Sequence, residues 1–347
     1  MTTIDRPDDA PRATIERIVQ RHHRELLVHC YRMLGSTEDA EDAVQETLVK
    51  AWRRLDSFEG RSSVRAWLYR IATNVCLDAL DRRARRILPV ALTGPADPQL
   101  PPAPDDLDTA WLQPIPDAWL DLPDDEADPS TVVVAREHIE LAFVAAVQHL
   151  PPRQRAILLL REVIGYSAAE TAQLLDTSPA AVNSALQRAR RLLDARLPST
   201  ALHRPTGDAA GLVQQYVSAW RAADVDALVA LMRADADMAM PPTPSWFHGR
   251  DSIGVYLRRL FATPFGQALE LVPTAANRQP ALAVYAPDRT PFAIKVFTVS
   301  GSHFSAITGF VSSDVFASFD LPDLAPAAAP YPDLDRRGND ARRPLPN

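Results

Sequence analysis

The chain has 347 residues, a length for two or three domains, and its 46% hydrophobic and 23% charged content excludes a fully disordered or collagen-like polymer. With 37 basic and 44 acidic residues the net charge is −7, so the chain as a whole is not a basic nucleic-acid binder, although an average can hide segregation. Two cysteines, Cys30 and Cys76, are too few for a disulfide framework and fit a reducing compartment. No run of about 18 apolar residues occurs, and the polar N-terminus carries no secretory signal, which together predict a cytoplasmic protein.

Proline accounts for 31 residues, about twice the usual share, and its placement marks boundaries. Residues 1–13 are expected to be disordered. A helical pattern without proline follows over 14–88, with 14 basic and 11 acidic residues. Residues 89–129 then carry recurrent prolines, ten carboxylates and no Lys or Arg. Such a stretch buries too little apolar surface to offset the entropy of ordering and reads as an acidic linker. One part of it resists that reading: Trp111, Leu112, Pro114 and Trp119 are costly to leave in water and are expected to dock. Helical periodicity resumes over 130–198, with 8 basic and 6 acidic residues in 131–197. A third domain is expected over 207–321, with helices at about 208–233 and 251–261 and strands at 269–275, 281–286, 292–300 and 303–310. The tail, 322–347, reads as disordered.

In the first helical segment, Ser36-Thr37-Glu38-Asp39 is a helix start, a capping hydroxyl with acidic residues in the first turn. Ala40, Ala43, Val44, Thr47, Leu48, Ala51 and Leu55 recur at spacings of three and four, the signature of a buried stripe. Asp42, Gln45, Glu46 and Val49 lie off that stripe, on a face that is either solvated or a contact surface. A loop ending in Ser62-Ser63 caps the next helix, which interleaves Trp67 and Tyr69 with Arg65 and Arg70 and runs on to Arg82-Arg83. Rings stack on unpaired bases and guanidinium groups hold phosphates, so this helix suits a nucleic-acid surface; a core tryptophan and a solvated helix end fit the same residues.

Residues 36–48, STEDAEDAVQETL, resemble the polymerase-binding helix of bacterial sigma factors, and 67–74, WLYRIATN, resembles their promoter −10 helix. Together the runs resemble the extracytoplasmic-function type, which keeps only domains two and four. The resemblance implies that Asp39, Asp42, Gln45, Glu46 and Val49 face core RNA polymerase. It implies that Arg61, Ser62, Ser63, Arg65, Trp67, Arg70, Asn74, Asp78, Arg82 and Arg83 face melted −10 DNA.

In the second helical segment, Leu150-Pro151-Pro152-Arg153-Gln154-Arg155 opens a helix, Gly165-Tyr166-Ser167 ends it and caps a second, and Asp176-Thr177-Ser178 turns into a last helix from Pro179. Two short helices with a tight turn suit a helix-turn-helix, whose second helix enters the major groove. Val182, Ala185, Leu186, Ala189, Leu192 and Leu193 form the expected buried stripe. Ala180, Asn183, Ser184, Gln187, Arg188 and Arg191 lie outside it, as base and phosphate contacts require. The segment is similar to sigma domain four, which implies −35 contacts by those six residues and Ser167.

The third segment suits a small α+β cone, and the pieces around Trp220, Asp224, Trp246-Phe247-His248 and Gln279–Tyr285 resemble the SnoaL-like domain fused to some sigma factors. Its enzyme relatives need an acid or base inside the cone. The late strands offer Asp288, Lys295 and His303, and Asp237, His248 and Asp251 are further pocket candidates; all are read in the first place as ordinary surface or core polar residues, and the domain as regulatory rather than catalytic.

The expected architecture is multidomain: sigma domain two over 14–88, sigma domain four with its helix-turn-helix over 130–198, both all-α, and the α+β SnoaL-like cone over 207–321. The expected function is a promoter-specificity subunit of RNA polymerase, with core polymerase and promoter DNA as partners and a cone that regulates through an intramolecular contact or an unknown ligand. No catalytic residue, cofactor, metal or membrane contact is implied. The alternatives are a DNA-binding sensor or enzyme that uses the cone's pocket, and a repressor independent of polymerase; the Asp42-Gln45-Glu46 face argues against the latter.

Overall fold

A computed structural model of the chain describes residues 9–54, 63–120, 139–195 and 208–323. The chain divides into two compact units, one formed by 1–87 with 115–198 and the other by 88–114 with 199–347. Among the described residues no helix is long and apolar enough to cross a membrane.

The first unit is all helical. It comprises α1 (Asp9–Leu34), α2 (Thr37–Arg53), α3 (Val64–Leu80), α4 (Leu141–Gln148), α5 (Pro152–Leu158, continued by a π turn to Val163), α6 (Ala168–Leu174) and α7 (Pro179–Asp194). Ser36 caps α2 by accepting from the Asp39 amide at 3.2 Å, and Lys50 and Arg53 close its last turn, the charge order the helix dipole favours. Its apolar stripe is buried at Ala40, Ala43, Val44, Thr47 and Ala51, while Leu48 is half-buried and Leu55 lies outside the described residues. Ser63 caps α3 in the same way, from the Ala66 amide at 3.1 Å. Leu26 and Met33 of α1 and Leu68 of α3 are fully buried, each contributing about 1.5–3 kcal/mol.

In α7 the stripe is buried at Val182, Ala185, Leu186, Ala189 and Leu193. Leu192, expected in that stripe, is 42% exposed: one residue round from Leu193, it falls on the outer edge of the helix.

The second unit carries α8 (Ala209–Arg221), α9 (Val225–Ala230), β1 (Met232–Ala239), β2 (Trp246–His248), α10 (Arg250–Phe261), α11 (Pro264–Gln267), β3 (Glu270–Ala276), β4 (Gln279–Tyr285), β5 (Pro291–Ser300), β6 (His303–Phe310) and α12 (Ser313–Ala317). The six strands form one sheet in the order β2-β1-β6-β5-β4-β3. All pairings are antiparallel except β1 with β6, so the sheet is mixed. Two strands, β1 and β2, escape the sequence pattern. In 232–239 Arg233, Asp235 and Asp237 do alternate with apolar residues, but three of the strand's apolar residues are alanines, weak strand formers, and β2 is only three residues long. One face of the sheet packs against α8 and α10 around Tyr216, Trp220, Phe261, Phe297 and Phe304.

The segment 89–120 departs from the expected unstructured linker. Its first part lies along the loop before β2. The Ala96 amide donates to the Trp246 carbonyl at 2.7 Å and the Asp106 amide to the Pro242 carbonyl at 3.0 Å. Thr243 donates to the Ala103 carbonyl at 2.9 Å, and the Trp246 indole to that of Thr93 at 2.9 Å. Arg259 reaches the carbonyls of Pro98 and Leu100. Ordering here rests on backbone hydrogen bonds more than on apolar burial, and the prolines lower its entropic cost because their φ is fixed before docking.

Candidate functional site

On α2, Asp42, Gln45, Glu46 and Val49 are all exposed, and Trp52, three residues past Val49 on the same face, is 43% exposed. Two apolar side chains, Val49 and Trp52, thus stand in water beside a polar row. Glu46 pairs with Lys50 at 2.8 Å. Asp39 is different: it is buried, and its carboxylate binds Arg83 and Arg86. Its role in this fold is to tie the residues after α3 to the start of α2, a contact that spacing could not reveal across 44 positions.

On α3, Ser63, Arg70, Asn74 and Asp78 are exposed and Trp67 half-buried, at spacings of three and four that place them on one strip. Arg82 and Arg83 extend the strip beyond the helix end and are exposed. Arg61 and Ser62 lie outside the described residues. Arg65 turns inward: its guanidinium bonds Glu25 at 2.8 Å and lies 5.0 Å from the Tyr69 ring centroid and 5.9 Å from that of Tyr166. Arg70 donates from one nitrogen, Nη2, to both carboxylate oxygens of Asp176, at 2.9 and 3.0 Å. Asp176 sits in the turn between α6 and α7 at φ 47°, the left-handed region an aspartate tolerates.

Ala180, Asn183, Ser184, Gln187, Arg188 and Arg191 are all exposed on α7. Ser167 caps α6 in a capping box with Glu170, so its hydroxyl is committed to the helix start. Beneath these faces a buried seam joins α1 to the α4–α5 corner. Gln148 donates to the Arg32 carbonyl at 3.1 Å. Arg155, 2% exposed, donates to the Met33 carbonyl, to Gln148 Oε1 at 2.6 Å and to the Gln148 carbonyl at 2.8 Å. Burial pulls its guanidinium down to about 10. Neither Arg155 nor Asp176 stands out in the sequence, since an arginine in a helix start and an aspartate in a turn are ordinary; only the fold pairs them.

His29, also buried, holds Thr73 at 2.9 Å, and burial pulls its imidazole down to about 3. The unfolded chain accepts a proton below about pH 6.5 that the folded chain refuses, so stability is intact above that pH and falls as pH drops towards 3. Between pH 7 and pH 5 this single group is expected to remove about 2 kcal/mol. Urea unfolding of the wild type and of His29→Gln at both pH values checks it, through the difference between the two losses.

The docking strip divides between the units. Leu112 and Pro114 are buried, Trp111 is half-buried with its indole donating to the Asp106 carbonyl at 2.7 Å, and Trp119 is half-buried in a single helical turn, Asp117–Trp119. In the second unit Asp237 and His248 pair at 2.7 Å on an exposed edge, where partial burial raises the Asp237 carboxyl. Asp237 alternates with the buried Ala236 and Met238, so it faces away from the core. Asp251 and His303 are exposed, and Asp288 accepts from Thr290 in its own turn. Of the acid–base candidates, only Lys295 points into the aromatic core.

The family model of Sigma-70 region 2 matches residues 18–86, that of Sigma-70 region 4 matches 140–193, and the SnoaL-like domain matches 213–311. The chain is 43% identical over 323 residues to the ECF RNA polymerase sigma factor SigG of Mycobacterium tuberculosis, covering 91% of this chain and 86% of that one. This chain belongs to the ECF RNA polymerase sigma factors. It is 32% identical over 182 residues to SigM of the same organism, covering 52% of this chain and 76% of that one. The crystal structure of the M. tuberculosis ECF sigma factor SigJ matches it with a TM-score of 0.58 and 22% identity, over 89% of this chain and 100% of that one, a likeness of fold. Sigma factors bind core RNA polymerase and promoter DNA, and the three matched segments follow the order read from the sequence.

Proposed function

We propose that this sigma factor holds core polymerase with the exposed α2 face, Asp42, Gln45, Glu46 and Val49, and captures melted −10 DNA with Ser63, Trp67, Arg70, Asn74 and Asp78 of α3 and Arg82 and Arg83 beyond it. Ala180, Asn183, Ser184, Gln187, Arg188 and Arg191 of α7 read the −35 duplex, and the C-terminal domain governs the step by holding the linker. The observation that carries this reading is the common exposure of three separate polar faces on one helical unit. The Arg70–Asp176 pair adds a feature of the free chain. The aspartate takes the place on Arg70 that a DNA phosphate would take, and an exposed pair is worth at most about 1 kcal/mol, so a phosphate displaces it at little cost. Control through the linker is supported by the hydrogen bonds of Ala103 and Asp106 to the loop before β2 and of Thr93 and Ala96 to Trp246, the first residue of β2.

Co-migration with core RNA polymerase, for the full chain and for residues 1–207, tests the reading together with run-off transcription. Both forms are expected to bind polymerase, and the shorter form to differ at least threefold in transcript yield. Failure of both to bind overturns the sigma roles assigned to α2; equal yields overturn the regulatory role of the C-terminal domain.

A further inference from the structure

Arginine carries nearly all the positive charge of this chain: of 37 basic residues, only Lys50 and Lys295 are lysines. Lys50 is a surface residue paired with Glu46. Lys295 stands on β5 among the core residues Ala293, Phe297 and Val299, which share its face of the strand. Its Nζ lies 4.1 Å from the Trp220 ring centroid, 5.4 Å from that of Tyr216, and 3.2 Å from the Tyr216 hydroxyl. Among the described residues no carboxylate pairs with it.

The group is rich in donors and poor in acceptors. The Trp220 indole N–H is buried without a partner, Trp220 being only 4% exposed, and among the described residues the amine's hydrogen bond goes to the Tyr216 oxygen. An unmet buried donor is costly, and an oxygen atom arriving at it would relieve that cost. Gly309 stands directly opposite Lys295 on β6, and a Cβ there would have one atom within 4 Å, the flexible Met240 side chain at 3.8 Å. Lys295 as a whole residue is partly buried.

We propose that the interior of the C-terminal domain is a binding site for a small unsaturated or aromatic carbonyl compound, which Lys295 captures as an imine. The aromatic walls take the apolar body of such a ligand, and the hydroxyl of Tyr216 and the indole N–H of Trp220 serve its oxygen. The Nζ lone pair attacks the carbonyl carbon, the C=O pair moves to oxygen, and that oxygen gains protons and leaves as water. The nitrogen gives up its two hydrogens as C=N forms, and no oxidant or reductant is consumed. The choice of lysine follows: a guanidinium stays charged, whereas a desolvated amine sheds its proton. Burial pulls the Lys295 ammonium down to about 7, so the nucleophilic form is populated near neutral pH. An anionic ligand would be served equally by arginine, the residue this chain uses elsewhere.

Reductive trapping tests this without reference to transcription. The full-length protein is treated at pH 7 with propanal or benzaldehyde and sodium cyanoborohydride, and adducts are located by peptide mass spectrometry. Lys295 is expected to be alkylated at least tenfold faster than Lys50, and Tyr216→Phe to slow Lys295 at least threefold while leaving Lys50 unchanged. Labelling of Lys295 no faster than Lys50 with both aldehydes, or only after denaturation, overturns the proposal.

Discussion

Replacing Asp42, Gln45 and Glu46 together with alanine is expected to weaken binding to core RNA polymerase about 100- to 1,000-fold while leaving the melting temperature within about 2 °C of the wild type. All three side chains are exposed on α2 and none reaches the core, which is built from Ala40, Ala43, Val44, Thr47 and Ala51 on the opposite face. The fold loses one helical pair, Glu46 with Lys50, worth about 0.3–0.5 kcal/mol, and gains helix propensity at three positions. At an interface each charge-assisted hydrogen bond is worth about 1.5–3 kcal/mol, so losing even two of three gives the stated factor. Asp251→Ala, exposed in the other unit, serves as the control. Binding of the triple variant within threefold of the wild type, by co-migration at fixed salt, would sink the assignment of this face. Trp52 is a natural extension of the experiment, because an indole on the rim of a polar row gains more from burial than any other residue there.

What the sequence made legible follows the range of the forces involved. The stripe of α2 from Ala40 to Ala51, the Ser36 and Ser63 caps, the phase of α7 apart from Leu192, and the four late strands are local periodicities, and they appear within a residue or two of where the spacing puts them. The exposed faces are the complement of those stripes and were readable for the same reason. Asp39 and Arg65, which the family resemblance implies face polymerase and DNA, turn inward onto partners 44 and 40 positions away. The linker shows the same limit. Its composition gives the acidity and the prolines, but the carbonyls and amides that fasten it to Trp246, Pro242 and Ser245 are backbone groups common to every residue and leave no trace in composition. Lys295 was legible as a residue and illegible as a site, since only the sheet register places it against Tyr216 and Trp220.

Arg155 carries the largest stability effect expected in the helical unit. Its guanidinium serves the carbonyls of Met33, Gln148 and Leu150 together with the Gln148 side chain, at a place 2% exposed. Two of those carbonyls terminate helices, whose last C=O groups have no partner within the helix. Arg155→Ala strands these acceptors away from water and opens a cavity, which together cost about 4 kcal/mol, a large fraction of a typical domain's stability. Arg155→Lys restores charge but not the planar fork, and is expected to recover less than half of the loss. Urea unfolding followed by helical circular dichroism measures both; a loss below 1 kcal/mol for the alanine variant refutes the role.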